Sequence, residues 1–198
     1  MSGTGNTNLP PTGGYTGQAW ALTGGSEFNQ TAFLVRQIIA GKAFAAMVQV
    51  MSVSNAGDVA ASGTVSVQPM VDQIDGLGNR MPHGIIYNIP YMRVQGGTNA
   101  VIIDPQVGDI GLAVICDRDI STVKATKKRS GPGSRRQNDW SDGCYIGGFL
   151  NAVPVNYIQF VGPDINIVSG GTLSHNGVNI GSTHVHALPG GGNTLGPH

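Results

Sequence analysis

The spacing of apolar residues changes three times along the chain. Over "NQTAFLVRQIIAGK", from Asn29 to Lys42, the residues Phe33, Leu34, Gln37, Ile38 and Gly41 recur at helical intervals. This spacing predicts a helix of about three turns, capped by Asn29 or Thr31 and stopped by Gly41. The period then falls to two. Segments 43–55 ("AFAAMVQVMSVSN") and 63–75 ("GTVSVQPMVDQID") alternate β-branched with polar residues on either side of the turn-rich "AGDVAAS". Segments 84–97, 107–117 and 142–150 complete a predicted set of five strands. Pro69 and Pro90 mark edges or bulges, because proline cannot donate to a strand ladder. Five strands in about 110 residues, with glycines at the bends, fit a small Greek-key barrel of the OB type.

Beyond Pro154 the texture changes again. Ile158 and Phe160, Ile165 and Ile167, and Val178 and Ile180 form short alternating pairs separated by Gly-Pro, Gly-Gly and Asn-Gly turns. A ribbon of this kind cannot bury its apolar face alone, since an isolated hairpin is marginal in water. It needs copies of itself, which predicts an intertwined β oligomer. The predicted organisation is therefore a 1–28 arm, a 29–153 helix and barrel, a 154–181 β segment and a 182–198 terminal segment. The arm, with Tyr15, Trp20 and Leu22 as isolated apolar points, reads either as a disordered tail or as an extension docking on a neighbouring subunit.

Composition supports strands joined by turns. The 198 residues include 31 glycines and a single glutamate, Glu27, whereas long helices favour Ala, Leu, Glu and Lys. Basic and acidic residues balance at 11 each, so no strongly charged surface for nucleic acid is implied. Six of the basic residues, Lys124, Lys127, Lys128, Arg129, Arg135 and Arg136, gather between 124 and 136 in the 118–143 connection, which also holds Arg118. With Trp140 they would suit a nucleic-acid grip, or else a solvated or subunit-contacting loop. Cys116 and Cys144 lie in separate apolar segments and read as buried free thiols or as a disulfide between neighbouring strands. The polar start lacks the regions of a signal peptide and no apolar run is long enough for a membrane helix, which predicts folding in a cytoplasm.

Catalytic frames are missing. "RQIIAGKA" lacks the first glycine of a phosphate-binding loop, and neither GxSxG nor HExxH occurs, so an enzyme is not expected. The candidate chemistry lies in "STHVHALP", where His184 and His186 are two residues apart. If the last strand runs without a bulge, Val178, Ile180, Ser182, His184, His186 and Leu188 share a face, and the histidines turn inward with the apolar pair. His83, His175 and His198 lie in turns or at the terminus and read as solvent-facing. Two imidazoles hold a metal poorly, but three-fold symmetry would multiply them to six nitrogens, enough for an octahedral first-row ion. The bland alternative is a pair of satisfied core histidines or an exposed strand end.

The lead-in "AFLVRQIIAGK", the barrel segment "VGDIGLAVICDRD" and above all "GVNIGSTHVHALPGGG" resemble the central baseplate spike proteins of contractile-tailed bacteriophages, also called baseplate assembly protein V. The resemblance spans about residues 30 to 198. It implies an all-β chain: an OB-fold barrel, then a short trimeric intertwined β-helix with a metal-pinned apex, preceded by a short helix and an extended N-terminal arm. It further implies that His184 and His186 bind one iron ion per homotrimer, octahedrally through six histidine nitrogens, or another first-row metal. The expected role is to puncture the host outer membrane on sheath contraction. Expected partners are tail hub or tube proteins of the baseplate, with no nucleic acid, and the expected place is the tail baseplate tip of the virion, after assembly in the host cytoplasm. The 155–181 portion is short for a needle, and no lysozyme-like insertion is present. An OB-fold nucleic-acid or glycan binding module with an oligomerisation tail is the competing reading. A small metalloenzyme using the histidine pair is a third.

Overall fold

The computed structural model describes residues 25–40, 42, 44–55, 59–74 and 78–195. Most of the expected 1–28 arm, the helix stop at Gly41 and His198 lie outside the described residues. The chain divides into two compact units at Asn151/Ala152.

In the first unit, helix α1 (Glu27–Ala40) begins earlier than the sequence pattern suggests. Its cap is neither Asn29 nor Thr31: the Ser26 hydroxyl accepts from the Asn29 backbone N–H at 3.2 Å, satisfying a donor that the first turn would leave unpaired. Leu34 and Ile38, from the expected apolar stripe, are exposed in a single chain.

The main sheet uses one strand from each of the five expected segments. β1 (Ala45–Ser54) and β2 (Thr64–Pro69) are followed by the small hairpin of β3 (Gln73–Ile74) and β4 (Arg80–Met81). After β5 (Ile86–Pro90) comes a second hairpin, β6 (Val94–Gly96) and β7 (Asn99–Val101). β8 (Ile110–Ile115), helix α2 (Ser121–Thr126), a 3-10 turn at Trp140–Asp142 and β9 (Gly143–Gly147) complete the unit. The sheet order is β5-β2-β1-β8-β9, with every neighbouring pair antiparallel. Its two ends approach each other where Tyr91 forms a parallel bridge to Tyr145 and the Met92 N–H donates to the Tyr145 carbonyl at 2.8 Å.

Alternation places Val48, Val50, Val65, Val67, Ala113, Ile115 and Tyr145 in the core. β5 departs from strict alternation, because Ile86 and Ile89 are both buried although three positions apart. Asn88 at φ 57° supplies an extra residue, and the pairing shifts between Val65 and Val67 to accommodate it. The bulge thus lets two β5 side chains enter the core, where each such burial contributes about 1.5–3 kcal/mol.

Tyr145 is almost wholly buried, and its ring occupies the space beside Gly111. A Cβ at Gly111 would stand 2.5 Å from the Ile146 carbonyl oxygen and closer still to the Tyr145 ring. Near the closure, the Tyr91 hydroxyl donates to Asp104 Oδ1 at 2.6 Å and Arg93 pairs with the same oxygen at 2.7 Å.

The second unit contains hairpins β10 (Tyr157–Val161) with β11 (Asp164–Val168), and β12 (Ser174–His175) with β13 (Val178–Asn179). Asn176 at φ 50° and Gly177 at φ 79° give the second hairpin its tight turn. In β10–β11, Ile158 pairs with Ile167 and Phe160 with Ile165, placing four apolar side chains on one face. They are 64%, 53%, 74% and 60% exposed respectively in the single chain.

The expected unbroken strand through the histidines is not formed. β13 ends at Asn179, whose side-chain oxygen accepts from the Gly181 N–H at 2.9 Å. The His184 N–H then donates to the Gly181 carbonyl at 3.1 Å, closing a turn. Asparagine bonding to the backbone two residues ahead competes directly with strand pairing.

Gly111→Ala is expected to lower stability by roughly 1–3 kcal/mol through overpacking against Tyr145 and Ile146. Chemical denaturation followed by tyrosine and tryptophan fluorescence measures this, and an unchanged midpoint would contradict the packing described.

Candidate functional site

His184 and His186 are brought together by a turn, and not by strand phase. Their ring centroids are 5.3 Å apart with planes at 89°. His184 Nδ1 is 2.7 Å from the Gly181 carbonyl oxygen. A carbonyl oxygen only accepts, so this bond assigns the proton to Nδ1 and leaves the Nε2 lone pair available in the neutral ring. Such a second-side hydrogen bond is the usual way a metal-binding imidazole is oriented.

His186 is positioned through its backbone. Its N–H donates to the Thr194 hydroxyl at 2.9 Å, and its carbonyl accepts from the Thr194 N–H at 2.9 Å. An Ala187–Asn193 bridge and a bond from the Leu188 N–H to the Gly192 carbonyl at 2.9 Å fold the terminal glycines back along this segment. Gly191 at φ 76° and Gly192 at φ 147° permit that reversal. Among the described residues, no group of three or more His, Cys, Asp or Glu side chains is placed to hold a metal within one chain. Among the described residues, the imidazole pair is thus the donor set this segment offers within one chain.

The remaining described histidines differ from each other. His175 lies at the exposed end of β12, next to its turn. His83 is not simply solvent-facing as its turn-like sequence suggests. It is half-buried, its ring centroid is 5.6 Å from that of Trp140, and its carbonyl accepts from Gln68 Nε2 at 2.8 Å.

The 118–143 connection is folded back on the first unit by an ion network that its basic composition does not reveal. Asp142 is fully buried and receives Arg136 through both oxygens, Nε at 2.8 Å and Nη2 at 2.9 Å. This planar two-point pairing is the strong arginine–carboxylate geometry. Asp142 also accepts from the Ile120 N–H at 3.1 Å. Asp119 accepts from the Ser121 N–H at 2.9 Å and the Ser134 hydroxyl at 2.7 Å, with Arg136 at 3.2 Å. Bonds from Ser121 and Ser134 hold its carboxyl well below the usual carboxylate range.

Lys124 donates to the Ser141 carbonyl at 3.2 Å. Of the six clustered cations, Arg136 and Lys124 thus serve the loop's own fold, while Lys127, Lys128, Arg129 and Arg135 are exposed. The buried partner, Asp142, has only the motif "NDWSDG" as a sequence signal, which reads as an ordinary polar turn.

Cys116 and Cys144 are free thiols, both half-buried. The β8–β9 register pairs Val114 with Cys144, which places Cys116 diagonally across from it on the same face. Burial, reinforced by the neighbouring Cys116, pushes the Cys144 thiol up. No helix among the described residues is long and apolar enough to cross a membrane.

No protein-family model and no curated protein matches the chain.

The Asp119 shift gives the loop an acid limit. Its stabilising contribution is complete above about pH 4, where the unfolded carboxylate is ionised, and is lost as pH falls toward the lower folded value. In a Trp20→Phe background, Trp140 fluorescence is expected to stay constant from neutral pH to about 4 and then report loosening of the loop. An unfolding step centred near pH 6 would assign the acid sensitivity to other groups.

Proposed function

We propose that the chain is the central spike of a contractile phage tail, acting as a homotrimer that pierces the host outer membrane when the sheath contracts. The observation that carries this reading is the four-residue apolar face of β10–β11, Ile158, Phe160, Ile165 and Ile167, which stays more than half exposed in the single chain. A hairpin of this size is not stable alone in water. Packing three copies about an axis removes those side chains from water and covers the strand edges that would otherwise invite aggregation.

The first unit supports the same reading. The order β5-β2-β1-β8-β9, with a parallel contact between the outer strands, agrees with a five-stranded Greek-key barrel of the OB type. In the proposed spike, this barrel joins the trimeric β segment to hub or tube proteins of the baseplate, and the virion's tail tip is its place.

The donor chemistry of the apex fits an ion. His184 and His186 of each chain would hold one iron ion, or another first-row metal, among three chains. Its contribution when bound is a cross-link at the chain ends, where fraying would otherwise begin. His184 contributes Nε2 because Gly181 engages Nδ1, and the Thr194 pairing fixes the backbone of His186. The function is mechanical, with no catalytic group assigned.

Native mass spectrometry combined with elemental analysis is expected to find a homotrimer carrying about one iron ion per three chains. His184→Ala/His186→Ala should remain trimeric, lose the metal and gain hydrogen exchange over residues 182–195. A monomeric wild type refutes the spike, and a metal-free trimer refutes the pinned apex.

A further inference from the structure

A solvent-open cleft of about 420 Å³ lies in the first unit, away from any residue the proposed spike uses. Pro69 at the end of β2, His83 and Tyr87 around the start of β5, and Asp139, Trp140 and Ser141 at the 3-10 turn line it. Its volume is at the small end of the ~300–1,000 Å³ range of ligand sites and suits a mono- or disaccharide.

The lining combines flat apolar surface with a fixed acceptor. Trp140 packs partly against the core, and its ring stands at 58° to that of His83. Tyr87 remains 64% exposed on β5 between two buried isoleucines. Asp139 Oδ1 accepts from the Ser141 N–H at 2.9 Å and from the Ser141 hydroxyl, while Oδ2 has no hydrogen-bond partner among the described residues. Those bonds hold the carboxyl below its usual range, so it is ionised at neutral pH.

An aromatic face accommodates the C–H side of a pyranose, and a carboxylate accepts its hydroxyls. A phosphodiester would meet the Asp139 carboxylate at short range instead, a charge that Arg136 Nε, 3.8 Å from Oδ1, only partly offsets. The exposed cations Lys127, Lys128, Arg129 and Arg135, which would have favoured a nucleic acid, are not among the lining residues.

We propose that this cleft binds a neutral hexose unit of a glycan, stacked on Trp140 with Asp139 accepting from its hydroxyls. None of its lining residues belongs to the β10–β11 apolar face or to the histidine pair on which the proposed trimer and metal rest.

Saturation-transfer NMR on the assembled full-length protein tests it, with methyl α-glucoside, methyl α-galactoside and methyl α-mannoside as probes and a thymidine hexanucleotide as competitor. At least one sugar should receive saturation, with affinity of about millimolar order. Asp139→Asn, which keeps the oxygen that caps Ser141, and Tyr87→Ala, at an exposed position, should each weaken binding by about tenfold. Unchanged thermal midpoints separate lost binding from lost folding. Transfer to none of the three sugars, binding indifferent to both substitutions, or displacement by the hexanucleotide overturns the proposal.

Discussion

Tyr145 can enter the core because Gly111 has no side chain there. The same residue forms the bridge to Tyr91 and accepts from the Met92 N–H, so one position both fills the interior and brings β5 to β9. Without that contact, the sheet would present two unpaired edges. Residues 83–87 at the start of β5 and 139–141 ahead of β9 consequently become neighbours across the cleft at Trp140. Arg136 then meets Asp142 one residue before β9, which fastens the long connection to the same corner. The closure therefore sets both the core and the placement of the loop.

The second unit obeys the opposite constraint. Its strands β10 and β11 have every residue exposed within one chain, whereas the first unit encloses ten apolar residues among those described. Turn chemistry alone sets the local conformation, through Gly162 at φ 58° and the Asn176–Gly177 pair. Such turns fix register but supply little burial. That asymmetry connects the proposed function to the sequence: one part of the chain folds on its own resources, and the proposed trimer would supply the burial that the other lacks.

The five main strands were legible because each alternates over enough residues to show a period of two. The two-residue and three-residue strands β3, β4, β6 and β7 are shorter than any such pattern. Helix α2 spans only six residues and ends on Lys127 in the left-handed region, a conformation that a lysine does not advertise. Asn88 hides its bulge in the same way. The basic cluster was visible as charge, but Asp142 as its buried partner depends on how the chain closes. The histidine pair was visible as a motif, while its inward phase assumed a strand that Asn179 and Gly181 interrupt.

That interruption changes what orients the imidazoles. Strand phase would have oriented both imidazoles only as well as the whole ribbon was ordered, and thus only after assembly. The Gly181 turn orients His184 within its own chain by engaging Nδ1 and leaving Nε2 as the donor. A ligand set in advance loses less conformational freedom when an ion is captured. His186 has its backbone held by Thr194, while its ring makes no hydrogen bond among the described residues. One imidazole of the pair is thus held by a hydrogen bond and the other only by its edge contact with the first ring, so in the proposed trimer His184 would present its nitrogen in advance and His186 would adjust to complete the set.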